Sequence, residues 1–548
     1  MIPRRRSGIL WSCCVPASSG CPATPALAGL PPSGAPAQSR RGCGVTRLGF
    51  LLDSDSCIGC HACTVACKSE HEVPLGVNRT WVKYIESGTF PNVNRHFSVM
   101  RCNHCDDAPC ITICPTGALF RAANGVVDFD DSNCIGCKGC MNACPYDAIY
   151  INPATNTANK CNFCNHRIEQ NLEPSCVVVC PTHAIKVADL DDPNDETTRI
   201  IARSDTAVRA PEQQTLPKVH YRGADAASLD PLRTAIAPDG MIWADTTPHH
   251  PTAEADGHGV MARTTYTTAH QMTWKAKVSS YLVTKAVAAG VMAVAALLVL
   301  LGHSGAQAAV GVVPPVVAGL FLAATGVLLV GDLKRPERFY YLLTRSNRRS
   351  WLVKGAWVLG AFTAVCAAWF VAGVADSPVV LQALAAPAGL LGLATAGYTA
   401  FLFAQCEGRD LWQTRLLLPT LLAQAAVAGG AAYAVADLVM DVPEVAAVRW
   451  VLLGGLVATG ALVAAEALSR GSAHVEAAVA AMTRGRYARR YWAGGVVLGL
   501  VVPAVATAVA LAAGTGAALP AIAGLCALVG MWFYEDSFVR AGQSVPLS

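Results

Sequence analysis

Charged residues are scarce in this chain of 548 residues. They make up 15% of the sequence, while hydrophobic types make up 53%, and a soluble globular domain usually has about 25% charged residues. The net charge of +4 provides no basic surface of the kind by which proteins bind nucleic acids. The composition therefore excludes a wholly soluble protein and predicts no nucleic-acid partner.

Charge is missing mainly from the second half of the sequence, residues 276–548, where Ala, Val, Leu and Gly dominate. Eight apolar runs there reach the ~20 residues that a helix needs to cross a bilayer. Since backbone exposed to lipid must satisfy its own hydrogen bonds, we predict an all-α polytopic membrane anchor of about eight helices. The predicted spans lie near 280–302, 309–331, 353–375, 379–404, 416–438, 446–467, 492–513 and 517–534.

The connections between these spans differ in charge. Even-numbered connections and both flanks carry many basic residues, among them Lys334, Arg335 and Arg338, whereas odd-numbered connections carry almost none. Connections rich in Lys and Arg stay in the cytoplasm. We therefore predict a multi-pass protein of the cell membrane whose termini and first half lie on the cytoplasmic side.

Histidine is also scarce in the second half, which contains His303 and His474, both predicted to lie in loops on opposite faces of the membrane. A haem held inside such a bundle needs axial histidine ligands within the helices. We therefore predict that the anchor binds no haem. A quinol, a lipid-soluble carrier of two electrons and two protons, remains as the redox partner in the membrane.

Cysteine is plentiful in the first half and forms a repeated pattern. The run "CIGCHACTVACK" begins at Cys57 and "CIGCKGCMNACP" at Cys134, and two stretched copies begin at Cys102 and Cys161. Disulfide frameworks rarely pack so many thiols into such short runs, and structural zinc usually draws on two separated C-x2-C pairs. The run C-x2-C-x2-C-x3-C-P is that of bacterial ferredoxins, so we predict four [4Fe–4S] clusters in an α+β ferredoxin-like domain. The sixteen predicted ligands are Cys57, Cys60, Cys63, Cys67, Cys102, Cys105, Cys110, Cys114, Cys134, Cys137, Cys140, Cys144, Cys161, Cys164, Cys176 and Cys180.

These patterns divide the sequence into four parts. Residues 1–44 are predicted to be a disordered leader or an over-extended start, because the apolar stretch after the basic start is short and broken; a twin-arginine signal in "RRRSGIL" is the alternative. Residues 45–190 form the ferredoxin domain. Residues 191–275 are predicted to be a polar linker and docking tail, in which "LPKVHYRG", residues 216–223, is a compact apolar segment. Residues 276–548 form the eight-helix anchor.

Residues 47–190 resemble the four-cluster ferredoxin subunit of dimethyl sulfoxide reductase and related molybdopterin complexes, with cysteine at all sixteen ligand positions. The second half resembles the anchor subunit of the same complexes, a family shared with polysulfide reductase and the formate-dependent nitrite reductase membrane protein. The stretch that carries this second resemblance is "DLKRPERFYYLLTRSNRRSW", residues 332–351. In many relatives the two parts are separate chains, so this protein resembles a fusion of electron-transfer subunit and anchor.

The resemblance implies a non-catalytic subunit that oxidises menaquinol or a similar quinol. Electrons would pass to a molybdopterin-containing catalytic subunit, which reduces dimethyl sulfoxide or a related acceptor in anaerobic respiration. The alternative is reverse flow, from a partner that oxidises formate or a sulfur compound to quinone. A scaffold with structural clusters is a third possibility, which the complete ligand sets disfavour.

The resemblance also implies a nested ligation, in which the first motif pairs with the fourth and the second with the third. The implied ligand sets are Cys57, Cys60, Cys63 and Cys180; Cys67, Cys161, Cys164 and Cys176; Cys102, Cys105, Cys110 and Cys144; and Cys114, Cys134, Cys137 and Cys140. The four clusters would form a row that ends at the membrane.

Asp332 lies at the predicted cytoplasmic end of the second span. A carboxylate at that depth is costly unless it is paired or functional, and two interpretations remain open. It is either the proton acceptor for quinol or the partner of Arg335 or Arg338 in an ion pair. The residues predicted to line the quinol pocket with it are Arg335, Arg338, Lys354, Glu407 and Arg409.

Overall fold

The computed structural model describes residues 46–236, 242–243, 262–469 and 471–548, so the predicted leader lies outside the described residues. The strands are β1 (Leu48–Asp53), β2 (Thr80–Thr89), β3 (Asn92–Arg101), β4 (Leu119–Arg121), β5 (Val127–Phe129), β6 (Ile149–Ile151), β7 (Ala158–Lys160), β8 (Ile185–Asp189), β9 (Thr206–Ala207), β10 (Val219–Arg222), β11 (Ala235–Ile236), β12 (Ile242–Trp243) and β13 (Ala262–Thr267). The helices of the first half are α1 (Ala62–Glu70), α2 (Pro109–Ile113), α3 (Gly139–Ala143), α4 (Asn165–Ile168), α5 (Ser175–Val178), α6 (Glu196–Arg203) and α7 (Ala226–Leu229). The helices of the second half are α8 (Ala276–Leu300), α9 (Gln307–Asp332), α10 (Tyr341–Thr344), α11 (Trp351–Val374), α12 (Pro378–Ala404), α13 (Leu417–Ala436), α14 (Val445–Leu468), α15 (Ala473–Thr483), α16 (Arg490–Ala513) and α17 (Ala518–Ser544).

A four-stranded sheet of order β8–β1–β10–β9 forms the base of the first half. Strand β1 lies antiparallel to β8 and parallel to β10. Strand β10 comes from "LPKVHYRG", and its alternate residues Val219 and Tyr221 are buried in the same apolar cluster as Phe50. The segment predicted to dock is therefore a strand inside the sheet. Its four alternating residues are too few to indicate a strand from sequence.

A second sheet of order β11–β13–β2–β3 also draws on the region predicted to be a linker. Strand β13 pairs antiparallel with β2, and helix α6 packs near β8 at the start of this region. The prediction of a polar linker over residues 191–275 is thereby corrected for its described parts. The strands of this region pair with partners that lie far away in the sequence, and polar residues such as Thr264 and Thr267 of β13 are buried.

Each cysteine motif folds as a loop that leads into a short helix, namely α1, α2, α3 or the pair α4 and α5. In the two compact motifs the residue before the helix has a left-handed backbone, with φ of 60° at His61 and 65° at Lys138. Two antiparallel ribbons, β4–β5 and β6–β7, follow the second and third motifs. The ribbons and the sheets together hold the motifs in an α+β domain of ferredoxin type.

Eight helices in the part of the chain that the structure describes are long and apolar enough to cross a membrane, as predicted. Seven of them end within a few residues of the predicted limits, but α17 continues ten residues past Tyr534, to Ser544. The predicted span stops at Tyr534 because charged residues follow it in the sequence. Asp536, which is fully buried, accepts hydrogen bonds from Arg490 and Arg540, each at 2.8 Å. Pairing within the fold allows the helix to continue.

The two histidines of the second half lie outside these helices. His303 is in the loop between α8 and α9, where its Nε2 is 3.6 Å from Glu444, and His474 is in α15. The absence of haem stays a prediction.

Candidate electron-transfer site

Four groups of cysteines lie close enough for their charges to interact, and each group combines three thiols of one motif with one of another. Quartet I consists of Cys57, Cys60, Cys63 and Cys180. Quartet II consists of Cys67, Cys161, Cys164 and Cys176. Quartet III lines one cavity and consists of Cys102, Cys105, Cys110 and Cys144. Quartet IV lines a second cavity and consists of Cys114, Cys134, Cys137 and Cys140.

The quartets are neighbours in a fixed order. Cys140 of quartet IV is a neighbour of Cys110 of quartet III, and Cys161 of quartet II is a neighbour of Cys102 of quartet III. Cys63 of quartet I is likewise a neighbour of Cys176 of quartet II. The groups therefore follow one another from IV to I, which is the order of the nested ligation.

A buried guanidinium beside the thiols indicates that the site is built for an anionic group. Arg101 is 1% exposed, and its Nη1 donates to the Cys176 sulfur at 3.3 Å. Its Nε and Nη2 have no hydrogen-bond partner among the described residues. A buried charge without compensation is strongly unfavourable. Metal–thiolate groups with four cysteine ligands are anionic, so the residues present fit such a group.

Burial raises the pKa of several of these thiols, so each of them has to lose a proton before it binds a metal. It raises the pKa of Cys63 to about 11, although the charge of Arg101 opposes this shift. Burial likewise raises the pKa of Cys105 and of Cys161 to about 12. Because metal ligation requires the thiolate, cluster binding and the folding of this domain are coupled.

The segment after α9 binds the third cysteine motif through its backbone. The amides of Lys334 and Arg335 donate to the carbonyl oxygens of Gly136 and Ile135, both at 3.2 Å. The Arg338 guanidinium donates to the carbonyl oxygen of Cys134 at 2.9 Å. The first part of "DLKRPERFYYLLTRSNRRSW" therefore binds the loop of quartet IV by hydrogen bonds, and we call it the clasp.

The second part of the same segment binds the loop that contains Cys114. The Asn347 side chain donates to the Cys114 carbonyl oxygen at 2.8 Å, and the Ser350 hydroxyl donates to that of Ile113 at 2.7 Å. On the other side, Trp274 Nε1 donates to the Cys137 carbonyl oxygen at 3.3 Å. Arg338 and Asn347 of the second half, together with Trp274 just before α8, thus contact the carbonyl groups of three cysteines of quartet IV, so this quartet lies against the membrane domain.

The contact region between the membrane domain and quartet IV is called the junction below. Asp332 forms an ion pair across it. Its Oδ2 accepts a hydrogen bond from Lys138 Nζ at 2.7 Å, and the two side chains are 19% and 7% exposed. The partner is therefore a lysine between Cys137 and Cys140. It is neither Arg335 nor Arg338, whose side chains contact carbonyl oxygens of the first half. Sequence reasoning missed Lys138, although the two compact motifs differ there, "HA" against "KG".

The other residues predicted for the quinol pocket have varied surroundings. Lys354 is exposed, and its ammonium lies 4.5 Å from the centre of the Trp351 ring. Arg409 is buried and donates to the Val545 carbonyl oxygen at 3.2 Å, while Glu407 is half-buried. Within the predicted set, Asp332 pairs with a side chain of a cysteine motif, whereas Arg335 and Arg338 bind backbone carbonyl oxygens of that motif.

Comparison with protein families gives three matches. Residues 56–119 and 93–190 match two models described as 4Fe-4S dicluster domains. Residues 265–546 match the model described as polysulphide reductase, NrfD. The NrfD match begins at residue 265, close to the start of the first membrane helix at Ala276.

Curated proteins are similar to the first half of the chain. Protein NrfC of Escherichia coli is 42% identical over 177 residues, which are 32% of this chain and 79% of that protein. The thiosulfate reductase electron transfer subunit PhsB of Salmonella typhi is 48% identical over 146 residues, 26% of this chain and 76% of that protein. The arsenate respiratory reductase iron-sulfur subunit ArrB of a Shewanella species is 34% identical over 225 residues, 32% of this chain and 95% of that protein. Because the NrfD match covers slightly more than half of the sequence, the chain belongs to the polysulphide reductase NrfD family of multi-pass membrane proteins and carries 4Fe–4S dicluster domains fused in front of its anchor.

Proposed function

We propose that this protein is the electron-transfer and anchor subunit of a reductase complex. It oxidises menaquinol or a similar quinol beside Asp332 and passes electrons through four [4Fe–4S] clusters to a molybdopterin-containing catalytic subunit. That subunit reduces dimethyl sulfoxide or a related sulfur or oxyanion acceptor. The names of the relatives, thiosulfate reductase and arsenate respiratory reductase among them, support the class of acceptor.

One observation carries the proposal: a carboxylate at the end of a membrane helix is 2.7 Å from a lysine inside a cysteine motif. Quinol oxidation has to deliver protons to a base and electrons to an acceptor at the same place. The base here is Asp332, at the end of α9. Only the side chain of Lys138 lies between this carboxylate and the backbone of the quartet IV motif.

The four quartets would hold the electron carriers. A [4Fe–4S] cluster bound by four thiolates supplies a one-electron redox centre. Quartet IV lies at the membrane junction, and at the other end of the row Cys60 of quartet I is exposed. The order from IV to I supports transfer from the membrane to a partner that docks at quartet I.

The first test replaces Asp332 by asparagine, which keeps the shape of the side chain and removes the base. Loss of a general base usually costs a factor of about a hundred or more, so quinol-dependent reduction should fall at least ~10-fold. Reduction by dithionite and assembly of the complex should stay normal. The matched control is Glu337→Gln, which removes an exposed carboxylate in the same segment. Unchanged quinol oxidation in Asp332→Asn would place the quinol site elsewhere.

A further inference from the structure

Lys138 occupies a position that serves both sides of the junction. It lies between Cys137 and Cys140, at the start of α3. Its side chain leaves the cysteine loop, stays 93% covered, and ends on Asp332 of α9. The hydrogen bonds of Lys334 and Arg335 to the neighbouring backbone hold the two partners in register.

The lysine charge acts on quartet IV as well as on Asp332. Lys138 lines the same cavity as the four cysteines of quartet IV and follows Cys137 directly in the chain. Lys138 is buried, and charges interact more strongly in buried surroundings than in water. A positive charge there stabilises additional negative charge on whatever quartet IV binds.

We propose that Lys138 is a positioning residue that links proton acceptance to electron acceptance: its ammonium holds the Asp332 carboxylate at the junction, and its charge favours reduction at quartet IV. The part that concerns Asp332 rests on the proposed function, whereas the effect on reduction at quartet IV does not. Loss of one proton and one electron leaves the quinol as a neutral radical: the proton would go to the Asp332 carboxylate, and the electron would go to the cluster that quartet IV would hold. Neutralisation of Asp332 leaves the Lys138 charge unopposed at the moment when the electron arrives.

The test compares variants of the intact complex by a redox titration that follows the one-electron steps by electron paramagnetic resonance. Lys138→Met should lower the reduced-to-oxidised ratio of one step about tenfold at a fixed ambient potential, which is 59 mV for a one-electron couple. The other steps should not move. Lys138→Arg keeps the charge and should stay close to the wild type. The matched control is Arg348→Met, which removes an exposed basic side chain from the segment after α9.

A second variant keeps the test decisive if Lys138→Met does not assemble. Asp332→Asn removes the counter-charge and should raise the reduced fraction of the same step, opposite in sign to Lys138→Met. A residue that only stabilises the junction would not produce shifts of opposite sign. An unchanged titration in Asp332→Asn, or in an assembled Lys138→Met, would overturn the inference. Normal quinol oxidation together with the two opposed shifts would instead refute the proposed quinol site and leave the effect of Lys138 standing.

Discussion

Replacing Arg338 by methionine tests how firmly the membrane domain holds quartet IV. Its guanidinium donates to the carbonyl oxygens of Asp131 at 2.7 Å and of Cys134 at 2.9 Å. Hydrogen bonds of charged groups contribute about 1.5–3 kcal/mol each. Arg338 is half-buried and water can replace it in part, so we expect about 2 kcal/mol for the two bonds together. Local opening of the junction should then become about 30-fold more frequent.

Hydrogen–deuterium exchange of the backbone amides of residues 131–137 measures this opening directly. The exchange rate should rise about 30-fold in Arg338→Met, and quinol-dependent reduction should fall while dithionite reduction stays normal. Arg348→Met is the control, because that exposed arginine lies in the same segment. Wild-type exchange in Arg338→Met would refute the view that this segment is a clasp.

Three further predictions concern metal, topology and the last helix. Anaerobically prepared protein should contain about sixteen iron atoms and sixteen acid-labile sulfides per chain; zinc at comparable stoichiometry without iron absorbance would contradict electron transfer. Protease added to intact spheroplasts should spare residues 47–190, since basic connections mark the cytoplasmic side, and cleavage there would reverse the orientation. Replacing Asp536 by asparagine should lower the free energy of unfolding by about 3 kcal/mol, because two arginines lose their buried partner. Thermal denaturation in detergent measures it, and a loss no larger than that of the exposed Asp441→Asn would contradict the pairing.

The parts of the fold that could be predicted depend on local patterns. Hydropathy located the eight membrane helices because each span must be apolar along its own length. Cysteine spacing located the four motifs for the same reason, since a C-x2-C loop is complete within a few residues. The extension of α17 and the strand β10 were missed because each is stabilised by partners distant in the sequence, namely Arg490 for Asp536 and β1 for Val219.

The sequence by itself determined the two-part architecture, the thiol-rich motifs and the position of Asp332 at the end of the second apolar helix. Tertiary structure alone decided which charge faces that carboxylate, because Lys138 and Asp332 are 194 residues apart. It also decided which quartet contacts the membrane domain. These contacts use backbone carbonyl groups, and because every residue has one, no side-chain pattern in the sequence reveals them. The energy of a charged group depends on its burial and on the charges around it, and only the folded chain brings those neighbours together.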